Sequence, residues 1–436
     1  MKPAKIDPNC APSSLGPFLA LLQMPLAKVV IGLVAVLMGA YAWVYYPIAQ
    51  GHGGDFIAIL SGRQVDAGYW NGTGMGYGPV FALYDLAFRG VADLTAMRAM
   101  YAGNLAMLLL AFVVAVQRFL PATRTLEETV AAVFLWVCFY PTFQALRQNN
   151  VEITELFFLV LMLQALQKGR YVLAGVCLGI AGATKILPFV LVVYFVWRRR
   201  FLLAVVSILT GLGLSVLVIW LKGENLGATL SAWWGGTQNP WPSEYQNNQA
   251  ISGIVWRAFS HFDLSMRVTI DQPLVLNAVA ARNVTIGICL VLFGLIGAIM
   301  VKRIGLWPRY AADQRLETVE IAIVLIGMLL LIPHNHTHYF ILIGWMYVAA
   351  LREWPQPTGA KGRWVFGLLA LNYVLLGLLT IWRLFDPLLH WLGPVTGIDL
   401  ARLASLPFFG ALAGLVALLI LHGDMLPDHA PGSKSV

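Results

Sequence analysis

The stretch KGRYVLAGVCLGIAGATKILPFVLVVYFVWRRR, Lys168 to Arg200, decides how this chain is folded. As one straight helix the apolar part, Tyr171 to Trp197, would be about 40 Å long, enough to cross a bilayer once. Both of its ends are basic, however, Lys168-Gly169-Arg170 on one side and Arg198-Arg199-Arg200 on the other. Basic clusters beside membrane segments favour the cytoplasmic face, so both ends belong on the same side. The segment must therefore turn back on itself. The break is expected around Thr184-Lys185-Ile186-Leu187-Pro188, because a proline disfavours helical geometry at the residue before it. The sequence predicts two short helices in a hairpin, or a re-entrant pair.

The rest of the chain fits the same environment. Of its 436 residues 59% are hydrophobic and only 11% charged, against about 25% charged in soluble domains. Apolar runs recur at 28–46, 95–117, 128–145, 151–167, 171–184, 187–197, 201–221, 283–301, 318–332, 338–351, 364–382 and 403–421. The expected fold is an all-α polytopic membrane protein of about 12 transmembrane or re-entrant helices. Residues 28–421 form one membrane domain, between an N-terminal tail (1–27) and a C-terminal tail (422–436). The N-terminal tail lacks a basic, apolar and small-residue signal pattern, so no cleavage is expected. With the hairpin in place, most Lys and Arg fall on one side, which puts both termini in the cytoplasm of a multi-pass protein of the plasma (inner) membrane. The net charge of +8 is thus a topology signal, and nucleic acid is not an expected partner. Cys10, Cys138, Cys177 and Cys289 form no CxxC pair, so neither a disulfide nor a metal–thiolate site is expected.

On this topology the outer face carries the long segments 47–94, 222–282, 333–337 and 383–402, while the inner face has short basic turns. Elaborated loops on a rigid scaffold are where chemistry is usually placed. Asp55, in GHGGDFIAIL (51–60), is either a helix cap or a catalytic base near the membrane surface. Arg147-Gln148-Asn149-Asn150, Glu152 and Glu155 lie near the same surface. Lys185 lies at the tip of the predicted hairpin, where an ammonium needs either an anion such as a phosphate or a partner such as Glu152 or Glu155. In the loop from Gly223, Trp233, Trp234, Trp241, Tyr245 and Trp256 either stack on sugar rings or belong to the interfacial aromatic belt. Asn247, Asn248, Gln249 and Arg257 add polar groups there. His334, His336 and His338 alternate in PHNHTH, but no acidic partners or second cluster accompany them, so no metal and no cofactor are expected. Walker, G-x-S-x-G, H-E-x-x-H and D-x-D motifs are all missing from the sequence, which argues against a soluble nucleotide-sugar donor held by a divalent ion.

The early aspartate, the Gln148-Asn149-Asn150 run, GATKILP, NNQAISGIVWR and the Pro333-His334 turn, taken in order, resemble glycosyltransferase family 87 of the GT-C superfamily. That family includes mannosyltransferases that extend phosphatidylinositol mannosides. Two places depart from the pattern, Ile332-Pro333-His334 and the start of RQNN. The resemblance implies a GT-C-like fold and an inverting transfer of a sugar, with mannose the expected one. The donor would be a polyprenyl phosphate sugar and the acceptor a glycolipid or cell-envelope glycan. Asp55 would be the general base. Lys185, Arg257, His334, His336 and His338 would receive the donor phosphate. Arg147, Gln148, Asn149, Asn150, Glu152, Trp233, Trp234, Tyr245, Asn248 and Gln249 would bind substrate. A transporter or lipid flippase is the competing class. Transporter repeats with sites near the midplane are its usual signature, and neither is evident in the sequence.

Overall fold

The structure, a computed structural model, describes residues 82–120, 123, 125–237, 248–258, 278–305, 313–352, 354, 359–389 and 396–425. The predicted span at 28–46 lies outside them. The described residues are helical and contain no strand, only one isolated antiparallel bridge, Asn248 to His336. In chain order the α-helices are α1 (Ala82–Ala87), α2 (Asp93–Phe119), α3 (Leu126–Val137), α4 (Tyr140–Arg147), α5 (Glu152–Gln167) and α6 (Tyr171–Thr184). They continue with α7 (Val190–Trp197), α8 (Phe201–Lys222), α9 (Leu226–Thr237), α10 (Ile251–Ala258), α11 (Ala278–Ile304) and α12 (Gln314–Leu331). The last are α13 (Trp345–Arg352), α14 (Gly359–Asn372), α15 (Asp386–Leu389), α16 (Gly397–Leu403) and α17 (Leu406–Met425).

Four of these, α2, α8, α11 and α17, are long and apolar enough to cross a membrane. Two bent pairs raise that number to six: α3 with α4, at 51°, and α14 with the 3-10 turn Leu379–Phe385, at 64°. Three shorter apolar segments, Tyr171–Thr184, Leu187–Trp197 and Thr337–Leu351, are below the length of a full crossing. The described residues thus support an all-α membrane protein with four to six full-length candidate spans, beside shorter helices; they do not establish the expected count of about 12 transmembrane or re-entrant helices.

The Lys168–Arg200 stretch is a hairpin. Helix α6 stops at Lys185, whose backbone is extended, and a 3-10 turn at Leu187–Phe189 leads into α7. Its two basic ends lie side by side. Gln167 accepts a hydrogen bond from Gln314 at the start of α12 (2.9 Å), and Arg198 pairs with Glu320 two turns further along the same helix (3.0 Å). Both basic clusters are therefore at the end of the bundle where α12 begins.

Small residues bring α6 against α8. A Cβ on Gly175 would stand 2.9 Å from the carbonyl oxygen of Leu203, and one on Gly179 would stand 2.7 Å from that of Ser207. Such close backbone approach is how membrane helices gain packing where burial from water contributes little. Helices α5 and α12 run through the centre, with Ile153, Leu159, Met162, Ile321, Leu325 and Leu329 fully buried. Helix α11 lies at the rim and exposes Leu290, Val291 and Phe293, as a lipid-facing helix should.

Candidate functional site

At the end of the bundle opposite the basic turns, three broken elements meet. The hairpin tip presents Lys185. The first turn of α5 presents Glu152 and Glu155, where carboxylates are favoured by the helix N-terminus. After α12, the loop at 332–336 and the 3-10 turn Thr337–Ile343 present His334, His336, His338 and Tyr339.

Lys185 Nζ donates to Glu152 Oε1 at 2.5 Å and lies 3.6 Å from the centroid of the Tyr339 ring. The ammonium therefore has a carboxylate on one side and an aromatic face on another, which is how a cation persists at 1% exposure. His338 Nε2 stands 3.7 Å from the same Glu152 oxygen. Glu155 is fully buried, and neither of its carboxylate oxygens has a hydrogen-bond partner among the described residues. Two carboxylates thus face one ammonium, an arrangement that can accept hydrogen bonds from hydroxyls or stabilise developing positive charge. His334 and His336 approach through their Nε2 atoms at 2.8 Å, and the His336 ring stacks on that of His338 at 5.1 Å. In the loop, burial, with Lys185 nearby, pushes the His334 imidazole down to about 4, so it is neutral at pH 7. Among the described residues no group of three or more His, Cys, Asp or Glu side chains is arranged to hold a metal ion.

The NNQ segment is a structural clasp on the histidine loop. Asn248 Oδ1 accepts from the Asn335 backbone N–H at 3.0 Å, and the Gln249 N–H donates to the Asn335 carbonyl at 2.6 Å. Arg257 is buried; it donates to the Asn248 carbonyl and to Ser405 Oγ, each at 2.7 Å. Gln249 Nε2 reaches the Arg402 carbonyl at 3.0 Å, and Arg402 donates to Tyr140 OH at 2.8 Å and Gln144 Oε1 at 3.1 Å. Asn149 has φ 54° in the turn between α4 and α5. Its side chain accepts from Asn104 at 2.9 Å and donates to the Met97 carbonyl at 3.1 Å. Asn150 Oδ1 accepts from the Val151 N–H at 2.8 Å.

The structure therefore gathers Glu152, Lys185, His334, His336 and His338 in one place. It engages Asn149, Asn150, Asn248, Gln249 and Arg257 in bonds that shape that place. Arg147 is exposed, and Gln148 is half-buried beside the Asn149 turn. Trp233 and Trp234 fall in the second half of α9, while Asp55, Trp241, Tyr245 and Asn247 lie outside the described residues. Sequence reasoning missed Tyr339 and Arg402. An aromatic directly after His-x-His-x-His, and an arginine inside a largely apolar end segment, were the available signals.

A model of the family described as glycosyltransferase family 87 matches residues 76–333, more than half of the chain. The chain belongs to that family. This glycosyltransferase is accordingly a multi-pass membrane enzyme, with a sugar donor and an acceptor. The matched region holds Glu152, Lys185, Asn248 and Arg257; Asp55 precedes it, and His334 follows its last residue. Comparisons with curated proteins and with solved structures give no match.

Proposed function

We propose that this glycosyltransferase moves a sugar, with mannose the first choice, from a polyprenyl-phosphate donor to a lipid-anchored or cell-envelope glycan. The transfer would take place at the outer face of the plasma membrane, with both termini in the cytoplasm. Family membership supports the transfer chemistry. The single observation that supports the site is the buried cluster of Glu152, Lys185 and His338 at the hairpin tip, on the end of the bundle away from the basic turns.

Asp55 is the general base in this reading. It takes the proton from the acceptor hydroxyl as that oxygen attacks the anomeric carbon, the bond to the phosphate oxygen breaks, and the configuration inverts. The departing phosphate needs hydrogen-bond donors and cations placed in advance. Lys185 already shares its charge with Glu152, and Arg257 is held by Asn248 and Ser405, so neither offers an uncommitted cation. The half-buried His334 and His336 are the groups we assign to the phosphate, with Lys185 adding its field and His338 fixing the inner edge. Glu152 and Glu155 face the hydroxyl side.

The test is transfer of labelled mannose from polyprenyl-phosphate mannose to a membrane lipid extract in detergent, where no gradient exists to drive a transporter. Asp55→Asn, matched for folding, should transfer about 10²–10⁴-fold more slowly than wild type. Near-normal turnover by Asp55→Asn overturns the base assignment. Transfer only from a different polyprenyl-phosphate sugar overturns mannose.

A further inference from the structure

The basic end of the bundle holds a groove away from the Glu152–Lys185–His338 cluster. It has a volume of about 510 Å³ and lies between the first turns of α6 and α8, its lining running from Gly169 and Arg170 through residues 171–173 to Val176, with Leu202 opposite. Leu173 and Leu202 are about half exposed, as lipid-facing side chains are. The groove begins at a charged turn and continues along an apolar wall.

Two turns with the same hydrogen bonding frame it. In the α5–α6 turn, Gly169 N–H donates to the Leu166 carbonyl and Arg170 N–H to that of Ala165, both at 2.9 Å. In the α7–α8 turn, Arg199 N–H donates to the Val196 carbonyl at 3.0 Å and Arg200 N–H to that of Phe195 at 2.8 Å. The left-handed position is filled by Gly169 (φ 67°) in the first turn and by Arg199 (φ 58°) in the second. Glycine adopts that conformation without cost, whereas another L-residue costs about 1–2 kcal/mol. The chain thus keeps an arginine where turn geometry favours glycine.

The cations of the two turns divide into two sets. Arg198 and Arg200 point inward and are paired with Glu320 (3.0 Å) and Glu317 (2.9 Å). Arg200 also covers the Tyr171 ring at 4.7 Å, which joins the second turn to the groove. Lys168, Arg170 and Arg199 are exposed, and neither Lys168 nor Arg170 has an ion pair among the described residues. If the basic turns served only to anchor topology, no apolar slot beside them would be needed.

We propose that this groove binds an anionic phospholipid, its phosphate on Arg170 with Lys168 and Arg199 nearby, and one acyl chain along Leu173, Val176 and Leu202. Basic pockets between membrane helices at the headgroup level recognise such lipids by charge plus chain burial.

The experiment uses the full-length protein in a neutral detergent, offered phosphatidylglycerol, phosphatidylcholine or polyprenyl phosphate, with retained lipid counted by native mass spectrometry. Wild type should retain one phosphatidylglycerol in preference to the other two. Arg170→Gln, on an exposed turn, should weaken retention roughly fivefold, the effect of one surface cation. Leu173→Trp, which fills the groove and leaves the charge alone, should also weaken it. Lys361→Gln serves as the control: this lysine is 72% exposed at the same end of the bundle, paired with Asp424, and its loss should change nothing. Equal retention of phosphatidylcholine, or equal losses from Lys361→Gln and Arg170→Gln, overturns the proposal. Preferred retention of polyprenyl phosphate overturns it too, by assigning the groove to the substrate lipid.

Discussion

Glu320 and Glu152 are both fully buried carboxylates, at opposite ends of the same bundle, and their surroundings differ. Glu320 is fully engaged. One of its oxygens takes Arg198 at 3.0 Å and Tyr194 OH at 2.7 Å, and the other faces His422 Nε2 at 3.2 Å. Glu317 and Arg200 close the same knot from one turn away. Glu152 holds Lys185 through one oxygen, which also faces His338, while Glu155 beside it has no hydrogen bond among the described residues. Among the described residues both oxygens of Glu320 are bonded, whereas neither oxygen of Glu155 has a hydrogen-bond partner. A saturated network acts as glue between helices, whereas an unsaturated one at the same depth is costly unless something else arrives to bond it.

Glu320→Ala should show the largest effect on folding. It leaves Arg198 buried without its carboxylate, at a cost of about 3–5 kcal/mol, read as loss of folded protein in a detergent stability assay. Transfer per folded molecule should stay unchanged; a folded but inactive Glu320→Ala would break the comparison. Lys185→Met should cost a similar amount. Combined with Glu152→Gln it should recover to within about 1 kcal/mol of wild type, because a neutral pair of similar size replaces the ion pair. The double variant should nonetheless transfer sugar at least about tenfold more slowly. Normal activity in that variant would make the Glu152 cluster glue as well.

Gly179→Val probes the hairpin that carries Lys185. Its added side chain meets the backbone of Ser207 and the Thr210 side chain, so a destabilisation of about 1–3 kcal/mol is expected, with a matching drop in the midpoint of thermal unfolding. The last test concerns His334, in the loop outside the spanning helices, and it changes nothing at pH 7, only the acid side of the profile. The unfolded chain takes up its proton near pH 6.5 and the folded chain only near 4. The unfolded state therefore binds more protons in that interval, and stability falls as pH drops from about 6.5 to about 4. His334→Gln should flatten that part of the stability profile.

Much of the candidate site could be read from the sequence because membrane insertion makes ionisable residues conspicuous. Lys185 stands out in an apolar run, and the basic residues at both ends of 171–197 force the break that places it. Its pairing with Glu152 was one of the alternatives the residues left open, and geometry selected it. The roles of Asn149, Asn248, Gln249 and Arg257 were less legible. Polar side chains near a surface look the same in sequence whether they bind a substrate or a neighbouring backbone carbonyl, and here they are occupied with carbonyls and turns. Tyr339 and Arg402 were harder still, since the Lys185 that Tyr339 faces and the Tyr140 and Gln144 that Arg402 bonds lie more than 100 residues away along the chain.

By itself the sequence determined the environment, the helical class, the hairpin and the family, because hydrophobic run length, charge at span ends and proline position act locally along the chain. Only the tertiary structure decided which buried carboxylates are bonded by side chains from other helices, as Glu320 is, and which, like Glu155, have no hydrogen-bond partner among the described residues. Satisfaction of a carboxylate depends on donors brought from other helices, and 3 Å distances between distant residues are set by packing.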